Sequence, residues 1–204
     1  MYVPPSFAID EDDAWRVVND AGAGMLVIQS ESGLSSVYVP VIVSDDRRTI
    51  RTHVAKANPW WRAVGESADV LALFLAASAY VTPSYYPSRL ENPDVVPTWN
   101  YVAAEVRGTA TIYNDNEWKL DQTTALTSRF EAGRDPEWRA DDLDPRYREL
   151  QMKAIVGIEI AVSFIEGKAK LSQNRPDIDR RSVRESFSEG SWAERTVAQR
   201  MSGD

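Results

Sequence analysis

The chain has no cysteine and only one histidine, His53, among its 204 residues. Without cysteine there are no disulfide frameworks, thiolate zinc sites, iron–sulfur clusters or cysteine nucleophiles. One imidazole cannot build a His-rich metal cage, and any Ser-His-Asp triad has to use it. Basic charge is also short. The 23 Lys+Arg against 31 Asp+Glu give a formal net charge of -8, which repels a phosphate backbone unless a local basic patch offsets it. The longest apolar run, residues 70–77, is far too short to span a bilayer. The start Met1-Tyr-Val-Pro-Pro-Ser-Phe7 lacks the basic-then-apolar order of a signal peptide. These absences point to a cytoplasmic protein, and 43% hydrophobic with 26% charged residues suits an ordinary globular domain.

What is present reads as strands in the middle with helices inserted and appended. Asp10 suits an N-cap, acidic Glu11, Asp12 and Asp13 suit the positive end of a helix, and Gly22 and Gly24 stop it. Strands are expected over 25–30 and 34–43 around the turn Glu31-Ser-Gly33, and over 49–55. Asn58-Pro59 starts a helix, and 70–77 reads as a buried strand. A long strand over 101–113, interrupted near Gly108, leads to a helix capped by Asn114. The stretch 131–149 holds seven acidic residues against four arginines and reads as a solvated connection. A short helix around 147–154 precedes a hairpin of 155–165 and 168–172 turning at Glu166-Gly167, and helices finish the chain. Short hairpin-joined strands escape open edges by closing into a small barrel. The expectation is one α+β domain over 1–204 built on a barrel, with C-terminal helices from about 176.

Three segments carry candidate chemistry. In Ile50-Arg-Thr-His-Val-Ala-Lys-Ala-Asn-Pro59, strand alternation turns Ile50, Thr52 and Val54 to the core and Arg51 and His53 to the other face. Lys56 lies just before the helix start at Asn58, and cations beside a helix N-terminus suit phosphate or carboxylate. The plainer reading is two solvated cations and a packing imidazole. Tyr85, Tyr86, Trp99, Asn100 and Tyr101 could wall a flat ligand or form an aromatic minicore. Lys168, Lys170 and Ser172 share a face in Gly167-Lys-Ala-Lys-Leu-Ser-Gln-Asn-Arg175, as a ligand site or as an exposed edge strand.

Taken in order, Met1-Tyr-Val-Pro4, His53-Val-Ala-Lys-Ala-Asn-Pro-Trp60, Tyr80-Val-Thr-Pro-Ser84, Val96-Pro-Thr-Trp-Asn-Tyr101, Ala154-Ile-Val-Gly-Ile-Glu-Ile160 and Gly167–Arg175 resemble the PaiB-like proteins. That family is described as FMN-binding negative transcriptional regulators. The resemblance covers almost the whole chain and implies a split β-barrel of the FMN-binding type, generally a homodimer with cofactor sites at the subunit interface. The chain departs from the pattern at Tyr38-Val-Pro40, where the family often has His-Leu-Pro, and at Glu105 and near Phe130, where it tends to have histidine.

The PaiB-like branch also resembles the piperazate synthases, haem enzymes that close an N-hydroxylated ornithine through an N–N bond. This resemblance implies haem b with His53 as the iron ligand. Arg51, Lys56, Asn58, Lys168 or Lys170 would hold its acidic groups, Trp99 and Asn100 would line the pocket, and Tyr85, Tyr86 and Lys56 would serve the chemistry on an amino-acid-like substrate. The alternative is an FMN-binding regulator or flavin oxidoreductase, with Arg51, Lys56 and Asn58 on the phosphate. A repressor that reads DNA itself ranks last, for no helix-turn-helix pattern stands out and the net charge opposes it.

Overall fold

A computed structural model describes residues 1–202. The described chain runs β1 (Ala8–Ile9), α1 (Glu11–Ala21), β2 (Ala23–Ser30), β3 (Gly33–Pro40), β4 (Ile42–Val43), β5 (Thr49–Ala55), α2 (Trp60–Val64) and β6 (Ser67–Val81). It continues through β7 (Thr98–Tyr113), α3 (Asn116–Glu131), α4 (Pro145–Ala154), β8 (Ile155–Lys170), α5 (Asp177–Ser188) and α6 (Trp192–Met201). The strands hydrogen-bond in the order β3-β2-β6-β7-β8-β5-β4, with β1 on β8. Among the described residues no helix is long and apolar enough to cross a membrane.

The chain gathers into two compact units. The first comprises Met1–Ala21, Phe74–Glu105 and Glu166–Asp204, and the second Gly22–Leu73 and Val106–Ile165. Strands β6, β7 and β8 give residues to both.

In the first unit, α5 and α6 bury Val183, Phe187, Val197 and Ala198 in one cluster with Ala77, Ala79 and Val81 of β6 and with Tyr86. Each large apolar side chain so buried contributes about 1.5–3 kcal/mol. The second unit shows why β5 sits where it does. Its alternation places Ile50, Thr52 and Val54 opposite Ile160, Ile158 and Val156 of β8, and all six are buried. Cross-strand apolar pairs of this kind fix register, because a one-residue slip would turn every one of them outward.

Several elements differ from the sequence reading. No hairpin breaks the last strand. β8 runs unbroken through Glu166-Gly167, and Gly167 pairs with Ile9, where a Cβ would press on the Ile9 side chain and on Ala14 of α1. The glycine gives close packing room and not a turn. Gly108 likewise leaves β7 uninterrupted, and a Cβ there would meet the Ala161 carbonyl of β8. Strands β6 and β7 extend beyond the expected 70–77 and 101–113. The cap of α3 is Asp115, whose carboxylate accepts from the Trp118 amide at 2.8 Å, one residue past Asn114.

Candidate functional site

The two units divide the nominated residues between them. Arg51, His53, Lys56 and Asn58 belong to the second. Tyr85, Tyr86, Trp99, Asn100, Lys168 and Lys170 belong to the first.

In the second unit the face of β5 that carries Arg51 and His53 meets helix α3. Opposite His53 on β8 stands Gly157, and a Cβ there would enter the ring of Trp118. The glycine thus makes room for an indole that stacks on Tyr113 at 4.6 Å. The Arg51 guanidinium lies 4.6 Å over the Trp118 ring, donates to Asp121 at 2.8 Å and has Glu159 at 3.9 Å. Arg51 is therefore already neutralised inside its own unit.

His53 is half-buried, and its Nδ1–H donates to Gln122 Oε1 at 2.9 Å. Burial pushes the imidazole below its ordinary value and the Gln122 bond partly opposes this, so the ring is neutral at pH 7. With Nδ1 as the donor, Nε2 carries the lone pair. The Gln122 side-chain nitrogen is buried with no partner. One turn earlier on the same helix, Lys119 is only 3% exposed. Its ammonium makes one long hydrogen bond, 3.4 Å to the Ile155 carbonyl. Burial lowers its pKa, and so does the neighbouring charge of Lys56, against a smaller opposing pull from Asp115. Lys56 itself is exposed at the end of β5, and Asn58 accepts from the Trp60 amide at 3.0 Å. The helix this begins, α2, is only five residues long.

Lys119 and Gln122 escaped the sequence reading. A buried helix stripe is sought as apolar residues at i, i+3, i+7. Here the buried stripe of α3 is Lys119, Gln122 and Leu126, so the polar members hid it.

In the first unit, Tyr86 is fully buried in the α5–α6 cluster, and Tyr85 sets its ring edge-on to Phe187 at 6.0 Å. Trp99 is 54% exposed and meets Tyr80 edge-on at 6.2 Å. Asn100 is buried and exchanges hydrogen bonds with Ser172 at 2.9 and 3.1 Å. Ser172 lies beyond the end of β8 at φ +67°, so it does not continue the strand face of Lys168 and Lys170. Lys168 is buried, donates to the Tyr2 carbonyl at 3.0 Å and lies 5.2 Å over the Tyr101 ring. Lys170 donates to Thr98 Oγ1 and, at 2.8 Å, to the Trp99 carbonyl.

Residues 1–164 match the family model described as "Putative FMN-binding domain". Over 186 residues the chain is 34% identical to the Protease synthase and sporulation protein PAI 2 of Bacillus subtilis (strain 168), an alignment covering 90% of this chain and 87% of that protein. The fold is shared with the FAD and Heme binding protein from Mycobacterium smegmatis, at a TM-score of 0.61 and 18% identity, covering 91% of this chain and 81% of that one. It is also shared with the flavocytochrome Anf3 from Azotobacter vinelandii, at a TM-score of 0.59 and 10% identity, covering 92% and 77%. The fold class is α+β of the split-barrel type, as the family resemblance implies.

Proposed function

The chain belongs to the PaiB-like family of FMN-binding-domain proteins, and on that premise we propose that it binds FMN, with Lys119 and Lys56 holding the phosphate. The observation that carries this reading is the buried Lys119 ammonium, whose neighbouring charge is a second lysine. A buried, incompletely paired charge costs several kcal/mol, and a like charge beside it adds to the cost. A phosphate dianion offsets both. Gln122, with its buried unpaired amide nitrogen, offers a further donor one turn along α3. All these residues fall inside the stretch matched by the family model.

Bound FMN supplies one- and two-electron transfer. The residues of the chain bind and orient it, and the neutral His53 presents an acceptor nitrogen. The protein then acts on small molecules, as a flavin-dependent enzyme or as an indirect regulator, and assembles as a homodimer.

The test compares FMN with riboflavin by quenching of flavin fluorescence. FMN should bind tighter by about tenfold or more, the worth of one charge-assisted hydrogen bond. Lys119→Met should remove most of that preference. Equal affinity for FMN and riboflavin would overturn the assignment.

One observation favours a second reading. His53 has Nδ1 held by Gln122 and Nε2 free of its proton, the arrangement that orients metal-bound imidazoles. On this reading the cofactor is haem b on His53 and the activity is N–N bond formation of the piperazate synthase type on an amino-acid-like substrate. A Soret band in protein from haem-supplied cells, lost in His53→Ala, would establish it. A flavin spectrum unaffected by that substitution would retire it.

A further inference from the structure

The first unit carries a cleft of about 170 Å³ walled by Tyr86, Thr98, Asn100, Lys170, Ser172 and Arg175. The side chain at its base is the informative one. Tyr86 is 0% exposed, yet its hydroxyl has no hydrogen-bond partner. Arg175 lies 4.4 Å over the Tyr86 ring, and its guanidinium sits close enough to the phenol oxygen to favour its charged form, but it can only donate, so the hydroxyl proton itself has no acceptor. A buried hydroxyl without a partner is costly and rare, so the phenol is a donor waiting for an acceptor.

The cleft itself is lined by the cations Lys170 and Arg175 and by no carboxylate. Among the described residues no ion pair joins Lys168, Lys170 or Arg175 to a carboxylate, and Asp179, the buried carboxylate whose charge reaches Tyr86, is occupied by the Ser88 amide and hydroxyl at 3.0 and 2.7 Å. Lys170 spends two donors on Thr98 and the Trp99 carbonyl, which leaves its third. Its pKa is held down by burial and then by the charges of Lys168 and Arg175, the strain of gathered cations that an anion relieves. The backbone is committed as well. Ser172 takes a left-handed φ of +67°, which is uncommon for a residue with a Cβ, and its hydroxyl is locked to the buried Asn100.

We propose that this cleft binds the phosphate group of a small phosphate monoester, with Tyr86, Lys170 and Arg175 donating to its oxygens. Two lining cations, Lys170 and Arg175, with the charge of Lys168 close to Lys170, favour a dianion over a single carboxylate. A volume near 170 Å³ equals roughly five or six waters at about 30 Å³ each, enough for a phosphate and a few more atoms. It is below the roughly 300 Å³ at which pockets for drug-sized ligands begin, so a flavin or porphyrin ring does not fit within it. The inference does not rest on the FMN assignment, which concerns Lys119 and Lys56.

The experiment is a ¹H–¹⁵N NMR titration of the full chain with inorganic phosphate, against acetate at equal ionic strength. Phosphate should shift the backbone amides of residues 170–175 and the Arg175 Nε–H, and acetate should do so far more weakly. Arg175→Gln should weaken phosphate binding roughly tenfold or more. Tyr86→Phe should weaken it by about threefold to tenfold while leaving the melting temperature unchanged or higher, because an unpaired buried hydroxyl has been removed. That pair of effects separates a binding role from a structural one. No shift in the segment, equal response to acetate, or phosphate affinity unchanged in both variants overturns the proposal. FMN and riboflavin titrations then identify the source. Competition by FMN but not riboflavin makes the phosphate that of the flavin, and phosphate shifts that persist with FMN bound make it a separate phosphorylated molecule. Either result sustains the site.

Discussion

His53 is the one imidazole of the chain, so its titration can be read without assignment by mutation. Its ring turns away from the core, as strand alternation requires, yet α3 covers it, and desolvation holds its pKa below the ordinary 6.5. As pH falls below about 6.5 the unfolded chain takes up its proton before the folded one does. This contribution to stability is therefore complete above 6.5 and is lost as pH falls from there toward the folded value. The Hε1 resonance should titrate with a midpoint under 6.5. Because the Gln122 bond raises the pKa, Gln122→Met should move that midpoint lower still. A wild-type midpoint at or above 6.5 would show that the ring is solvated, and would contradict the cover of α3. The alternation was legible in Ile50, Thr52 and Val54. The cover was not, because nothing local in 50–59 says which element lies over the other face.

Helix α3 and strands β5 and β8 form a layer whose tolerance is set by a glycine. Gly157 stands opposite His53, and Trp118 fills the space where its side chain would be. Gly157→Ala forces the indole off its stack with Tyr113 and Arg51, or moves α3 bodily. Overpacking of this kind costs about 1–3 kcal/mol. Urea unfolding should show a lower midpoint, corresponding to that loss of unfolding free energy, with altered tryptophan fluorescence. FMN affinity should fall too, since Lys119 rides on the same helix. An unchanged midpoint would mean that Trp118 is not confined. Glycine is ambiguous in a lone sequence for this reason. Gly33, at φ +110°, is read correctly as a turn residue, whereas Gly108, Gly157 and Gly167 are demanded by neighbours from distant parts of the chain. The missing hairpin at Glu166-Gly167 and the unbroken β7 follow from that one ambiguity.

At the scale of the molecule, architecture was readable because apolar alternation and turn chemistry repeat over many residues, so even the misread Gly167, which split β8 in two, left the fold class unchanged. Sites are different. Lys119 became visible only when burial set it beside Lys56, and the Tyr86 hydroxyl only when its surroundings proved to hold no acceptor. Net charge, by contrast, is fully written in the sequence, and it bears on the family's description as transcriptional regulators. Eight excess negative charges oppose approach to a duplex. The basic groups that remain are small, and some are occupied, as Arg51 is by Asp121 and Arg180 by Asp177. Arg180, Arg181 and Arg184 line a common hollow with Asp177, too few charges to match the phosphate contacts of a DNA-reading module. Fluorescence anisotropy with a random duplex should show binding no tighter than about 10⁻⁴ M at physiological salt, the weak end of non-specific association. A submicromolar constant that falls steeply with salt would show that a basic face assembles after all, and that this family member acts on DNA directly. Binding at the weak limit, alongside tight FMN binding, would favour the proposed action through a small-molecule cofactor over direct action on DNA.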